Sequence, residues 1–451
     1  MTLQRRLADI VGAANVLTAS EDTKPYFTDW RKQYAAAAEC VVRPASTQEV
    51  SQVVSLCAHE GVAIVPQGGN TGLVGGSVPT GARRELVLAL GRLNRIRSLD
   101  VLNDTVTVEA GCVLAAVQRA AEDAGRLFPL SLAAEGSCQI GGNLSTNAGG
   151  VNVLRYGNAR EQVLGLEVVL PDGRIWDGLR GLRKDNTGYD LKQLFVGAEG
   201  TLGVITAAVL RLYPKPAASA TAWIALENPR DAVELLAALR ERLGERISAF
   251  ELVSRTCLDA VLAHVKDLRD PLPAAQAWYA LAQFADSGQA AELHERVADA
   301  LGEREAALAQ SGEQARTLWR LRENIPEAQF ANVKHDISLP ISRIPQFIEQ
   351  AGTALAAQFA GVEIFCFGHV GDGNLHYNVG PARLLEVRDA VSRLVYEAVE
   401  RLGGSISAEH GLGQMKREAI RAYKSALELE LMQKLKAALD PNGLMNPGKV
   451  L

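Results

Sequence analysis

The segment that decides the fold reads PQGGNTGLVGG at residues 66–76, directly after the apolar run VAIV at residues 62–65. The apolar run predicts a short buried strand, so the glycine-rich segment is expected to be the loop that follows it. Such a loop can bring bare backbone amides against a pyrophosphate, because no Cβ atom intrudes. An ordinary glycine-rich turn is the alternative when this segment is taken by itself.

The loop matches neither of two common nucleotide-binding patterns. It lacks the Gly-Lys-Ser/Thr of the nucleoside-triphosphatases, and it is not a G-x-G-x-x-G that opens a helix, as in nicotinamide-binding Rossmann domains. Two further glycine-rich clusters occur at residues 136–150 and 195–206. Small residues and asparagine side chains suit a long, flat, polar ligand that lies against the backbone.

A second informative segment is FGHVGDGNLHYN at residues 367–378. Asp372-Gly373 predicts a two-residue hairpin turn, because such a turn needs positive φ and glycine adopts it freely. In that register His369 faces His376, with Cβ atoms roughly 5 Å apart. Two imidazoles at this distance can share one divalent metal. Asn378 follows His376 on the same face of the strand.

The third ligand is expected from SISAEHGLG at residues 405–413, where Glu409 is the candidate ligand and His410 the candidate base. Three of the seven histidines fall between residues 369 and 410. A His₂Glu set with open positions is typical of catalytic rather than structural metal sites. Each histidine taken singly could equally be an ordinary core or surface residue.

Composition limits the class of protein. The 451 residues are enough for two or three domains, and 47% apolar residues predict an ordinary core. A net charge of −5 without a long basic run argues against nucleic acid or an anionic membrane as the main partner. We predict no signal peptide and no membrane span. Six cysteines without a C-x-x-C pair predict reduced, mostly buried thiols in a cytoplasmic protein.

Several helices and strands are also predicted. STQE at residues 46–49 is a capping box that opens a helix ended by Gly61. Residues 231–243, 290–310 and 427–439 read as helices, and residues 278–281 as a short strand.

Together, the three glycine-rich clusters, the GHVGDGNLH run, AEHG and the NPGK tail resemble one family. It is the FAD-linked 2-hydroxyacid dehydrogenases of the vanillyl-alcohol-oxidase / p-cresol-methylhydroxylase superfamily. The resemblance covers nearly the whole chain. It implies an α+β fold with a two-subdomain FAD-binding domain and an α+β cap domain, an antiparallel sheet flanked by helices. The domains are then residues 1–216 (FAD-binding), 217–417 (cap with the metal site) and 418–451 (a segment that returns to the FAD domain).

The resemblance also implies roles for individual residues. Its metal ligands, usually to zinc, match His369, His376 and Glu409, and its proposed base matches His410. Its substrate contacts match Arg322, Lys334, Asn378 and His410. Its flavin-binding positions match Pro66, Gly68, Gly69, Asn70, Thr71, Gly72, Gly75, Gly76, Pro129, Gly136, Ser137, Ile140, Gly141, Gly142, Asn143, Thr146, Asn147, Ala148, Gly150, Glu199, Gly200, Gly203, Ile205 and Asn446.

Two features qualify the match. Pro326 stands where some relatives carry a polar substrate contact, which leaves the exact acid open. The loop at residues 68–76 has no His or Cys, so FAD is expected to be non-covalent.

Without the resemblance, Arg322 and Lys334 would be interpreted as solvated surface charges.

The function implied is oxidation of a D-2-hydroxyacid, with D-2-hydroxyglutarate as the first candidate. D-lactate and D-malate dehydrogenases, an oxygen-using flavin oxidase, a metal-dependent hydrolase and a flavin-storage protein are the alternatives. The electron acceptor is left open among an electron-transfer flavoprotein, a quinone and a cytochrome, and a homodimer is one open assembly state.

Overall fold

The computed structural model describes all residues, 1–451. The strands are β1 (Val16–Leu17), β2 (Val41–Val42), β3 (Ala63–Gln67), β4 (Glu85–Ala89), β5 (Ile96–Asp100), β6 (Thr105–Glu109), β7 (Arg126–Leu127), β8 (Val163–Val169), β9 (Ile175–Gly178), β10 (Val204–Arg211), β11 (Tyr213–Pro214), β12 (Ala218–Leu226), β13 (Ile247–Ser254), β14 (Trp278–Asp286), β15 (Ala306–Leu308), β16 (Asp336–Ser338), β17 (Glu363–Gly368) and β18 (Asn374–Gly380).

The helices are α1 (Leu3–Val11), α2 (Ser20–Phe27), α3 (Thr47–Glu60), α4 (Leu114–Asp123), α5 (Ile140–Ser145), α6 (Val153–Tyr156), α7 (Ala159–Gln162), α8 (Pro229–Leu243), α9 (Arg255–His264), α10 (Ala290–Leu301), α11 (Gly312–Glu323), α12 (Ile325–Ala328), α13 (Ile344–Gln358), α14 (Arg388–Arg401), α15 (Arg417–Tyr423) and α16 (Ala426–Leu439). None of them has both the length and the apolar character that a membrane crossing requires.

The chain forms two compact units. The first comprises residues 1–150, 157–214 and 410–451, and the second comprises residues 151–156 and 215–409. These limits differ from the predicted ones, because the second unit ends at Glu409 rather than at residue 417 and also takes in residues 151–156. Residues 151–156 join the second unit because α6 packs against β13.

The first unit contains a four-stranded sheet, ordered β1-β2-β4-β3, and a five-stranded antiparallel sheet, ordered β5-β6-β10-β8-β9. The predicted capping signal is present at α3, where Ser46 accepts a hydrogen bond from the Glu49 backbone amide and Gly61 ends the helix in the left-handed region. Glu49 accepts from the Ala45 amide instead of completing a capping box with Ser46. The buried face of α3 joins β3 and β4 in one hydrophobic core, which fixes the end of β3 where the glycine-rich loop begins.

The C-terminal tail belongs to the first unit. The Ile64 amide donates to the Leu444 carbonyl at 2.8 Å, and the Asn446 amide donates to the Ile64 carbonyl at 2.7 Å. Residues 444–446 therefore run beside β3, which leads into the glycine-rich loop.

The second unit is built on one seven-stranded sheet, ordered β15-β12-β14-β13-β17-β18-β16, in which every pairing is antiparallel. Helices α8 and α10 pack on this sheet, and α9 and α11 contribute to a core with its aromatic side chains. This architecture confirms the predicted α+β fold with an antiparallel sheet flanked by helices.

Two element predictions in this unit were wrong in extent. The predicted helix 290–310 ends at Leu301, and residues 306–308 form β15, because Gly302 turns the chain and Ala307 pairs with Trp223. The strand predicted at residues 278–281 continues to Asp286 as β14, since it pairs along its whole length with β12.

Candidate functional site

The hairpin between β17 and β18 is wider than predicted. Residues 369–373 connect the strands, and His376 pairs with Phe367 instead of His369. The two-residue turn does not form because the backbone of Gly371 is bonded elsewhere: its amide donates to the Phe250 carbonyl and its carbonyl accepts from Arg240. The rings of His369 and His376 still lie with their centroids 6.2 Å apart.

The structure brings the three predicted metal ligands together within the second unit. His369 Nδ1 lies 3.3 Å from Glu409 Oε1, and His376 Nε2 lies 3.9 Å from Glu409 Oε2. His369 Nδ1 is buried and has no hydrogen bond of normal geometry. Two imidazoles and one carboxylate facing each other are a donor set that suits zinc and related divalent cations.

The charges of this cluster shift the pKa values of its members. Burial by itself lowers the pKa of His369, but the carboxylates of Glu251 and Glu409 outweigh it and raise the pKa to about 9. Burial raises the pKa of Glu409, but the His369 charge outweighs it and holds that pKa well below its usual range. Burial raises the pKa of Asp372 to about 6. The cluster therefore holds Glu409 as a carboxylate, the form that binds a cation.

A cavity in the first unit is the candidate flavin site. It is formed by the loop after β3, by α5 and by the segment that leads into β10. The predicted flavin-binding residues that line it are Pro66, Gly68, Gly69, Asn70, Thr71, Gly72, Gly76, Gly141, Gly142, Asn143, Thr146, Glu199, Gly200, Gly203 and Ile205. His410, the predicted base, lines the same cavity. Gln67, Gln139 and Ser145 also line it and were missed, because they lie between or beside the glycines that gave the signal.

Other predicted flavin residues do not line the cavity, namely Gly75, Pro129, Gly136, Ser137, Ile140, Asn147, Ala148, Gly150 and Asn446. Ile140 is buried in the core, and the side chain of Asn147 accepts a hydrogen bond from the Arg160 amide. The Asn446 amide group donates to the carbonyls of Gly76 and Glu199, at 2.9 and 2.7 Å. Asn446 therefore joins two segments of the cavity wall from outside it.

Two observations show that the cavity fits a polar cofactor. The side-chain oxygens of Gln139 and Asn143 are buried beside it and accept no hydrogen bond within the protein, so a ligand with donor groups would satisfy them. Gly142 also lines the cavity, and a Cβ atom there would meet no protein atom within 4 Å. The space beside Gly142 is thus free for a ligand.

His410 is held in the first unit by the segment that follows it. The Glu199 carboxylate accepts from the amides of Leu412 and Gly413, at 2.7 and 2.8 Å. Gly411 has φ of 76°, and a Cβ atom there would lie 2.7 Å from Glu199 Oε1. The chain can bend closely around Glu199 after His410 only because residue 411 is glycine.

Two segments of the chain match known family models. Residues 38–178 match a model described as "FAD binding domain", and residues 215–450 match one described as "FAD linked oxidases, C-terminal domain". The chain belongs to the FAD-linked oxidases. It is an FAD-dependent oxidoreductase, and the cavity with its unsatisfied Gln139 and Asn143 oxygens is the candidate site for the flavin.

Individual relatives agree with this assignment. A probable mitochondrial D-2-hydroxyglutarate dehydrogenase from Oryza sativa subsp. japonica is 39% identical over 98% of this chain and 80% of its own length. A D-2-hydroxyglutarate dehydrogenase from Xanthomonas citri pv. viticola is 39% identical over 98% of this chain and 96% of its own length. The solved structure of p-cresol methylhydroxylase with substrate bound is 19% identical, with a TM-score of 0.78 over 99% of this chain and 96% of that one. That likeness confirms the predicted fold type.

In this FAD-linked oxidase the predicted substrate contacts differ in their surroundings. Arg322 is buried, with Nε 2.6 Å from Glu251 Oε2 and its guanidinium 4.7 Å from the Phe367 ring centre. Arg322 is therefore not a solvated surface charge. Lys334 is half-buried and donates to the Pro326 carbonyl. Asn378 is buried, and its side-chain oxygen accepts from the His335 amide at 3.1 Å.

Two carboxylates of the oxidase's histidine cluster were missed by the sequence analysis. Glu251 Oε1 lies 3.2 Å from His369 Nε2, and Asp336 Oδ1 lies 3.9 Å from His376 Nδ1. Glu251 interrupts the otherwise apolar run around it in β13, where every residue is buried. An acidic residue inside a fully buried strand was the signal that could have identified it.

Proposed function

We propose that this FAD-linked oxidase oxidises D-2-hydroxyglutarate to 2-oxoglutarate. The observation that carries the proposal is the cluster of His369, His376 and Glu409, with the buried Arg322 guanidinium attached to it through Glu251. The cluster suits a hydroxyl group and its neighbouring carboxylate, and an arginine suits a carboxylate because it can bind both oxygens. Relatives that align over nearly the full chain carry the name D-2-hydroxyglutarate dehydrogenase, which supports this choice of acid.

We further propose that His369, His376 and Glu409 hold a divalent cation, with zinc as the first candidate. His369 Nδ1 is buried without a hydrogen bond and faces the Glu409 carboxylate. The donor set favours zinc because it combines imidazole nitrogens with one carboxylate. A metal-dependent hydrolase would use the same ligands, but it would have no need of the flavin cavity.

In this proposal, FAD held by the residues of the cavity would supply the hydride acceptor, and a cation held by His369, His376 and Glu409 would lower the pKa of the substrate hydroxyl. The protein's own part is to orient the acid and to accept the hydroxyl proton. Arg322, placed by Glu251, binds a substrate carboxylate. His410 accepts the proton on an imidazole nitrogen, a role for which histidine is suited near neutral pH.

The test is anaerobic reduction of the bound flavin with D-2-hydroxyglutarate, D-malate and D-lactate, monitored by flavin absorbance. We expect D-2-hydroxyglutarate to give the highest kcat/KM, because a second carboxylate adds an ion pair. Equal or better reduction by D-lactate would replace this substrate with the alternative one. Absence of flavin bleaching with all three acids would contradict oxidation of a small 2-hydroxyacid.

We also propose how FAD is attached and which electron acceptor reoxidises it. FAD is held non-covalently, since the loop at residues 68–76 offers no His or Cys, and acid denaturation should release it into the filtrate. The electron acceptor is an electron-transfer flavoprotein or a quinone, with oxygen as the alternative. Assembly as a homodimer and a cytoplasmic location stay predictions.

A further inference from the structure

The unexplained group in the second unit is Glu251, a charged residue in the middle of a central strand. Its side chain is fully buried, and β13 pairs with β14 on one side and β17 on the other. A carboxylate without partners in such a place costs several kcal/mol, on the order of the penalty for any buried ion. Its two partners, Arg322 and His369, can each carry a positive charge. They are also a predicted substrate contact and a predicted metal ligand.

The two oxygens of Glu251 are divided between these partners. Oε2 accepts a hydrogen bond from Arg322 Nε at 2.6 Å, while Oε1 faces His369 Nε2 at 3.2 Å. Oε1 accepts no hydrogen bond of normal geometry, so its short contact with His369 Nε2 is one that a proton on Nε2 would complete. Arg322 Nη2 lies farther from the same nitrogen, at 3.5 Å. One carboxylate therefore contacts both a predicted substrate-binding arginine and a predicted metal ligand.

His369 lies between two carboxylates. Its Nε2 faces Glu251 at 3.2 Å, and its Nδ1 faces Glu409 at 3.3 Å. His376 repeats the arrangement at longer range, since its Nε2 faces Glu409 and its Nδ1 faces Asp336, both at 3.9 Å. A metal-ligating histidine almost always gives its second ring N–H to a carboxylate, a carbonyl or water, and this contact fixes the tautomer.

We propose that Glu251 is a positioning residue that keeps the proton of His369 on Nε2, so that Nδ1 is presented to a divalent cation beside Glu409. The same carboxylate holds the Arg322 guanidinium in place, and so links the cation site to the substrate arginine. The proposal rests on the metal-assisted function proposed above. It extends that function to a residue outside the ligand set.

Glutamine cannot replace Glu251 in this role, although it has nearly the same shape. Arg322 Nε–H needs an acceptor, so the glutamine oxygen must face Arg322. The glutamine NH₂ group then faces His369 Nε2 and requires it to be an acceptor. That arrangement moves the proton of the neutral ring to Nδ1, the nitrogen that should bind the cation.

The experiment is a Co²⁺ titration of the full-length, FAD-containing protein after chelation, comparing wild type, Glu251→Gln and Glu109→Gln. Glu109 is the matched control, since it is also a fully buried glutamate paired with arginines but lies in the first unit. We expect the Kd for Co²⁺ to rise about 10- to 100-fold in Glu251→Gln, the range for partners of metal ligands. FAD content should stay at the wild-type level, and Glu109→Gln should bind Co²⁺ like wild type.

A second measurement uses only wild-type protein and so does not depend on how the variant folds. In the Zn²⁺-loaded protein with ¹⁵N-labelled histidine, we expect His369 to show a protonated Nε2 and a metal-bound Nδ1. Metal bound to Nε2 of His369 would contradict the role of Glu251, and so would a Co²⁺ affinity of Glu251→Gln within twofold of wild type. Either result would leave the proposed metal-assisted function standing. Failure of the wild type to bind Co²⁺ or Zn²⁺ would overturn the metal-assisted function together with it.

Discussion

The flavin cavity is lined largely by glycines, small polar side chains and backbone, whereas the histidine cluster of the second unit consists of charged side chains anchored in a sheet. The cavity offers space where side-chain atoms are absent, as at Gly142. The cluster offers charges that contact one another, as Glu251 contacts Arg322 and His369. An added methyl group should therefore damage the first region, and a removed charge should damage the second.

The largest effect is expected at His410, which lines the flavin cavity. His410→Ala removes the proposed proton acceptor but none of the three proposed metal ligands, so FAD and metal content should stay at wild-type levels. The rate of substrate-driven flavin reduction should fall by a factor of about 10² to 10⁴, the usual range for a positioned acid or base. Anaerobic stopped-flow and elemental analysis measure the two quantities. Part of the loss should return at higher pH, where more substrate alkoxide is present.

The metal contents of His410→Ala and Glu409→Ala can also contradict the roles proposed for His410 and Glu409. Loss of bound metal in His410→Ala, with metal retained in Glu409→Ala, would reverse the roles of the two residues.

The second effect is expected at Glu409, which faces both histidines of the cluster. Glu409→Ala should weaken metal binding by more than about 100-fold, above the range found for partners of ligands, and slow substrate-driven flavin reduction in proportion to the metal that is lost. FAD content should not change, because the flavin cavity contains no member of the metal set. His376→Ala is the parallel variant. Loss of FAD in either variant would show that the two regions are not built independently.

The third effect tests the charge that Glu251 holds. Arg322→Ala would leave Glu251 without its cation, which typically costs about 3–5 kcal/mol of stability, so Arg322→Lys is the better variant. A lysine keeps the charge but cannot bind a carboxylate with two parallel hydrogen bonds. KM should rise by about tenfold for D-2-hydroxyglutarate and less for D-lactate. Equal increases would assign Arg322 to the carboxylate that both acids share.

The smallest effect is expected in the cavity. Gly142→Ala adds a methyl group that touches no protein atom, and alanine favours the helical conformation of residue 142. Thermal stability of the apoprotein should stay constant or rise, while the Kd for FAD should rise about fivefold, or about 1 kcal/mol. Gly136→Ala is the control, since its Cβ is equally free but lies outside the cavity. Unchanged FAD affinity in Gly142→Ala would mean that the flavin does not approach this glycine.

The glycine-rich segments that border the cavity could be located from the sequence because their signal is local. Each glycine cluster is a continuous run, and the loop after β3 needs only the strand before it to be located. The predicted flavin residues that do not line the cavity, such as Ile140 and Asn147, belong to the same runs. Ile140 is buried in the core, and the Asn147 side chain accepts a hydrogen bond from the Arg160 amide.

The histidine cluster could be predicted only in part, because its geometry depends on distant segments. The hairpin register was wrong because Phe250 and Arg240 bond to the backbone of Gly371, and neither residue is near the turn in sequence. Glu251 could be noticed as an acidic residue in an apolar run, but its pairing with Arg322 could not be predicted. It is 71 residues from Arg322 along the chain, so no local pattern connects the two.

One of the four points at which the chain passes between the two units is the peptide bond between Glu409 and His410. A chimera in which the second unit is exchanged for that of a relative would be joined at this bond. Glu409 would then come from the relative and His410 from this protein. A single inserted residue at the junction would shift the imidazole against the carboxylate by up to about 3.5 Å. Chimeras of this protein should therefore tolerate a junction near Pro214 far better than one at residue 410. Active variants of the protein should carry no insertion or deletion between Glu409 and His410.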